Sequence, residues 1–234
     1  MRKFLTLIGG LIVILAIIVE IVLPQILSGM LKEKISQWTH SQEVNLSIDS
    51  SPRFMIAIGQ VDKIESEVLN GKIGELETTD LKLDAENIQV DMKSLLFQDE
   101  SKRKVEDYLK SIGKVKMTGV ITQENLKNFL QQRVSQLENL QLKMTAEEIT
   151  ATSNVSIMGR SADLELSGII IADGGDLYFR MTRLNAKNAL LRHVHLDKFF
   201  GDIKIASADK LPIGLKFSDV ELQEGQALLS AVRE

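Results

Sequence analysis

Cysteine is absent from this 234-residue chain, which excludes disulfide cross-links, thiolate catalysis and a cysteine-attached lipid. Burial of apolar surface must hold the fold instead. Aromatic side chains are few, 5% of residues with one tryptophan and two tyrosines, so the interior is expected to be aliphatic. Neither sign of charge forms a block: 28 Lys and Arg stand against 32 Asp and Glu, and the net charge of −4 comes without the basic stripe that nucleic acid requires. Catalytic signatures are missing too. The chain has no GxxxxGK[ST], no GxGxxG after a strand, no GxSxG and no HExxH, so phosphate cradles, nucleophile elbows and zinc-hydrolase helices have no foothold. The expectation is a protein that is not an enzyme and that carries no cofactor.

Against these absences stands one long apolar run, FLTLIGGLIVILAIIVEIVL, from Phe4 to Leu23, broken only by Glu20 and followed at once by Pro24. Twenty helical residues rise about 30 Å, the thickness of a hydrocarbon core. Arg2 and Lys3 precede the run, so the positive-inside bias places Met1 in the cytoplasm and the chain after Pro24 outside, although Lys32 and Lys34 keep the contrast modest. Glu20 lies one turn from the outer end, where a carboxylate reaches headgroup water. The expected organisation is a transmembrane anchor over residues 1–24 and a single exported domain over residues 25–234. A cleaved signal peptide is the alternative, but Ala16 is followed by Ile17, Ile18 and Val19 and no small-x-small site is evident. Either way the domain is exported.

Downstream, Ile26, Leu27, Met30, Leu31, Ile35 and Trp38 fall along one helical face, and Pro24 suits either a helix start or a kink in a longer helix. That helix is either packed under a sheet or turned toward lipid. Val44, Leu46 and Ile48 alternate as in a strand, and Ser50-Ser51-Pro52 punctuates before the apolar stretch Phe54 to Ile58. Val61, Ile64 and Val68 lead to Asn70-Gly71, a tight-turn pair, and the alternation from Leu81 to Met92 slips phase between Ala85 and Ile88, implying a bulge at Glu86-Asn87. After Leu95-Leu96-Phe97 and a charged stretch from Asp99 to Lys104, the spacing of Val105, Tyr108, Leu109 and Ile112 predicts a helix.

Lys114 to Thr122 reads as a strand with Val115 and Met117 on one face. Thr122 then caps a helix carrying Leu126, Phe129, Leu130, Val134 and Leu137. Strands are expected over residues 140–144, 149–157, 162–172 and 177–184, the last two joined as a hairpin at Asp173-Gly174-Gly175-Asp176, and a final pair over 215–222 and 227–232 turns at Glu224-Gly225. Between Gly168 and Ala172 both strand faces are apolar. Meandering strands with two or three helices indicate an α+β fold built around a long curved antiparallel sheet. One cluster invites chemistry: if residues 193–197 form a strand, His193, His195 and Asp197 share a side and could offer metal ligands. A polar surface face explains the same pattern, and no metal is expected.

Several stretches, taken in order, resemble the LmeA-like family of exported, membrane-associated phospholipid-binding proteins of bacteria. The first is an amphipathic helix after the anchor, followed by Ser51-Pro52-Arg53-Phe54 and Gly59-Gln60-Val61-Asp62-Lys63-Ile64. Next comes Gly119-Val120-Ile121-Thr122-Gln123-Glu124-Asn125-Leu126, a strand leading into a T-x-x-x-L helix start. The last is Leu211-Pro212-Ile213-Gly214-Leu215-Lys216-Phe217-Ser218-Asp219-Val220. The charged segment near Asp99 to Lys104 and the His193 region have no counterpart in that pattern.

The resemblance implies a tubular lipid-binding, TULIP-like architecture, with a curved sheet wrapping one or two helices around an apolar tunnel. It implies phospholipid and membrane as partners and no catalytic residues, beside the exclusion of nucleic acid that the charge distribution gives. Candidate lipid-lining residues are Leu27, Met30, Leu31 and Ile35 on the first helix, Leu126, Phe129 and Leu130 on the second, and Leu164, Leu166, Leu177 and Phe179 on strands. The same residues would serve a dry core. The rival function is a tethered β domain that docks envelope proteins without a lipid ligand.

Overall fold

The computed structural model describes residues 18–97, 105–133, 138–157, 160–186 and 202–233. Most of the apolar run from Phe4 to Leu23 falls outside them, as do the Asp99–Lys104 stretch, Val134, Leu137 and the His193–Asp197 cluster. Among the described residues no helix is long and apolar enough to cross a membrane.

The described chain begins with one π-helical turn, Ile18–Val22, continuing into α1, Leu23–Thr39, with Pro24 in its first turn. Pro24 has no N–H to donate and its ring crowds the carbonyl four residues back. A widened turn directly upstream relieves both problems, so the sequence alternatives of start and kink merge here. His40, at φ 54°, ends α1 in the left-handed conformation, and the Thr39 hydroxyl donates to the Ile35 carbonyl at 2.8 Å. The other helices are short: α2, Met92–Phe97, and α3, Gln123–Arg133.

The rest is mostly antiparallel β structure in two sheets. The first contains β1 (Glu43–Asp49), β2 (Gln60–Ile73), β3 (Leu76–Val90), β4 (Leu109–Ser111), β5 (Val115–Thr122), β11 (Lys216–Gln223) and β12 (Gln226–Val232). Its order is β1-β2-β3-β5-β12-β11, with β4 paired to β3. The second contains β6 (Glu138–Met144), β7 (Ile149–Ile157), β8 (Arg160–Asp173), β9 (Asp176–Ala186) and β10 (Ile203–Ala206) in the order β10-β9-β8-β7-β6. One long sheet was expected. Instead α3 intervenes after β5, the strands β6 to β10 pair with one another in sequence, and β11 and β12 return to the first sheet. The described chain divides into two compact units, the first within Met1–Val68 and Lys82–Lys116, the second within Leu69–Leu81 and Met117–Glu234.

Asparagines mark irregular points in the strands. Asn70, Asn87 and Asn139 all take left-handed backbone angles, at φ 52°, 55° and 55°. Asparagine tolerates this conformation better than other side-chain-bearing residues. At Asn87 the expected bulge is present, and the Gly113 N–H donates to both the Glu86 and Asn87 carbonyls at 3.1 Å. The tight turn expected at Asn70-Gly71 is not there: both residues lie inside β2, the chain reverses at Gly74 (φ 64°), and the Thr78 hydroxyl donates to the Gly71 carbonyl at 3.1 Å. An Asn-Gly pair supplies positive φ equally well to a bulge and to a turn, and here it shifts the buried side of β2 from Val68 to Gly71.

One more expectation fails. The Val105–Ile112 spacing forms a 3₁₀ turn, Val105–Tyr108, followed by strand β4, because Leu109 and Ser111 find partners in Val90 and Gln89. The apolar stretch Phe54 to Ile58 is a 3₁₀ turn over Arg53–Ile58. Strand β10 was not anticipated at all.

Candidate functional site

In the second unit, α3 starts from a reciprocal cap. The Asn125 N–H donates to the Thr122 hydroxyl at 3.2 Å, while the Thr122 hydroxyl and N–H donate to the Asn125 side-chain oxygen at 2.6 and 3.1 Å. This is a capping box with asparagine in place of the usual Glu or Gln, and it fixes where the helix begins. The three-and-four spacing then buries Leu126, Phe129 and Leu130, and α3 lies against β6.

The second sheet has one continuous buried face. Register pairs Leu142 with Ala151, Met144 with Ile149, Ala151 with Leu166, Ser153 with Leu164, Ile170 with Phe179 and Ala172 with Leu177. Leu164, Leu166, Leu177 and Phe179 are all buried on it. Phe179 fits because residue 168 is glycine: a Cβ there would stand 2.5 Å from the ring and 2.6 Å from the Arg180 carbonyl oxygen. An unpaired Thr182, between Arg183 opposite Ser167 and Met181 opposite Gly168, bends β9 at this point and curls the sheet.

Charge stays at the margins of this face. The Lys204 ammonium, with the Ala208 N–H, holds the Asp176 carboxyl below the usual carboxylate range, and Asp176 in turn raises Lys204. Arg180 bridges Asp173 at 3.2 Å and Asp202 at 2.9 Å. These pairs tie β10 and the β8–β9 turn together on the exposed side.

Seven of the candidate residues, on α3, β8 and β9, therefore lie in the second unit. The other four sit on α1 in the first, where Leu27 is buried and Met30, Leu31 and Ile35 are half-buried. Sequence reasoning passed over Leu140, Met144, Ile149 and Ile170, which occupy the same buried sheet face. Their alternation was visible, but nothing in a single strand marks which face meets a helix. Among the described residues no group of His, Asp and Glu is arranged to hold a metal ion.

An aliphatic face edged by ion pairs is common to a dry core and to a wall against hydrocarbon, and it offers little to a charged substrate. The family model for LmeA-like phospholipid-binding proteins matches residues 18–231, and the chain belongs to that family. The match takes in the Ser51–Ile64, Gly119–Leu126 and Leu211–Val220 stretches that carried the resemblance. No curated protein and no solved structure matches the chain.

Proposed function

We propose that this chain is a membrane-tethered extracytoplasmic protein that takes phospholipid acyl chains into its aliphatic interior, for lipid carriage or maintenance of the envelope. The observation that carries the proposal is the family match over residues 18–231, and the buried aliphatic residues of α3, β8 and β9 are of the kind such a function requires. In this reading the architecture is tubular, and Leu126, Phe129, Leu130, Leu164, Leu166, Leu177 and Phe179 line hydrocarbon. Within the first unit, the α1 residues Leu27, Met30, Leu31 and Ile35 provide apolar surface.

Energetics set a low bar for such a protein. A tail of about 16 methylenes costs roughly 13 kcal/mol to expose to water, a cost already avoided in the bilayer. The interior need only match the bilayer while excluding water, and aliphatic side chains suffice. Tethering by Phe4–Leu23 would keep the protein beside its donor membrane and raise effective concentration without new contacts.

Photo-crosslinking tests this directly. The full-length chain is reconstituted with phospholipid carrying a photoactivatable acyl group, irradiated, and mapped by peptide mass spectrometry. Cross-links in peptides from 123–133 and 160–186 are expected. Cross-links confined to residues 1–24, with no phospholipid retained after exhaustive detergent exchange, would leave the protein-docking alternative in place of lipid binding.

A further inference from the structure

Among the described residues, the large hydrophobic side chains that stand exposed are Ile21 (54%), Val22 (41%), Ile26 (45%), Phe54 (57%) and Ile58 (61%). Their concentration is the observation. All five lie on the π-helical turn, the first turns of α1, and the 3₁₀ turn Arg53–Ile58, and these three segments contact one another within the first unit.

The 3₁₀ turn is built to hold that exposure. Ile56, at 1%, is its inward anchor. Its ends are pinned: the Ser51 N–H donates to the Asp62 carboxylate at 2.7 Å, the Met55 N–H to the Pro52 carbonyl at 3.0 Å, and the Gly59 N–H to the Ile56 carbonyl at 3.0 Å. The Val90 N–H donates to the carbonyl oxygen of Gly59 (φ 84°) at 2.7 Å, and a Cβ on Gly59 would fall 2.1 Å from the Val90 oxygen. Phe54 and Ile58 therefore project from a fixed frame. Apolar residues that a rigid turn presents to water are characteristic of an interaction surface.

The occupant follows from where the chain comes from. The run Phe4–Leu23, long enough to span hydrocarbon, ends inside this patch, since Ile21 and Val22 belong to both. Ile26 lies about 4.5 Å further along a helix axis, within the depth of about 5–10 Å to which interfacial side chains bury. Arg53, exposed beside Phe54, has a guanidinium on a flexible stem that can reach lipid phosphate. We propose that Phe54 and Ile58 are a second membrane contact, inserted into the interface of the bilayer from which the anchor emerges. The proposal rests on the anchor reading above but goes beyond it: a single span leaves a domain free to swivel, whereas a second insertion fixes the first unit against the surface.

The absence of native cysteine makes the test direct. Full-length chains carrying Ile21→Cys, Phe54→Cys or Ile58→Cys are labelled with an environment-sensitive fluorophore and reconstituted in phosphatidylcholine–phosphatidylglycerol vesicles with and without shallow spin-labelled phospholipid. All three positions are exposed, so labelling leaves packing intact, and a thermal melt of each variant verifies this. Lipid quenching and a blue shift at 54 and 58 comparable to those at 21 are expected. Quenching at 21 alone overturns the second contact and leaves the anchor standing. Quenching at none overturns both. A blue shift at 54 and 58 without lipid quenching means protein covers the patch, which also overturns the proposal.

Discussion

The two helices that carry the candidate residues use the same side-chain types to opposite ends. On α3, Leu126, Phe129 and Leu130 are 0%, 3% and 2% exposed; on α1, with equally regular apolar spacing, Leu27 alone of the four candidates is buried and Ile26 stands exposed. The difference lies in surroundings. α3 starts from a two-way cap and lies on a sheet face that covers its apolar side, while α1 follows an apolar run and packs on β1, a strand whose Val44, Leu46 and Ile48 are themselves only half-buried. Apolar periodicity reports that a face exists. What covers it is decided elsewhere.

Truncation should widen the contrast most. Leu126→Ala is expected to cost about 2–5 kcal/mol, the range for a fully buried leucine, whereas Ile26→Ala stays within about 0.5 kcal/mol. Denaturation midpoints of the detergent-solubilised chain measure both, and equal losses would erase the distinction. Next come two glycines, one in each unit. Gly59→Ala forces a Cβ against a backbone carbonyl at positive φ and is expected to cost about 2–4 kcal/mol; Gly168→Ala meets the movable ring of Phe179 as well as the Arg180 carbonyl, for about 1–3 kcal/mol. The order of their melting temperatures checks this.

Thr122→Ala removes the cap of α3 and should lower stability by about 1 kcal/mol, seen first as faster amide exchange in the opening turn of that helix. The smallest effect is that of pH on the second unit. Because the folded Asp176 carboxyl is held below its ordinary range, its contribution is complete above that range and is lost as pH falls through the depressed value. Asp176→Asn should therefore flatten the acid side of a melting-temperature profile, by a modest amount because the Lys204 partner is largely in solvent.

Much of this architecture is readable from the residues because the signals are local. Thr122 marks the start of α3, Gly174-Gly175 and Glu224-Gly225 mark hairpin turns, and the phase slip at Ala85–Ile88 marks a bulge. Where reading fails, one signal serves two structures. Asn70-Gly71 supplies positive φ within a strand instead of at its end, and Val105–Ile112 has helical spacing but finds a β partner far along the chain. The lipid candidates were legible as apolar and periodic, yet their distribution between two units was not, because unit boundaries within β2, β3 and β5 leave no mark in composition.

The fastening of α3 carries a consequence for motion. The Thr79 hydroxyl donates to the Asn125 side-chain oxygen at 3.2 Å near one end of the helix, and Arg133 pairs with Glu75 at 3.2 Å at the other, so both ends are strapped to the β2–β3 tip. Both contacts are exposed and individually weak, so they bias where the ends of the helix rest more than they hold them there. Under the proposed lipid-binding reading, hydrocarbon lodging beneath α3 would either part these two contacts or carry the hairpin tip along with the helix.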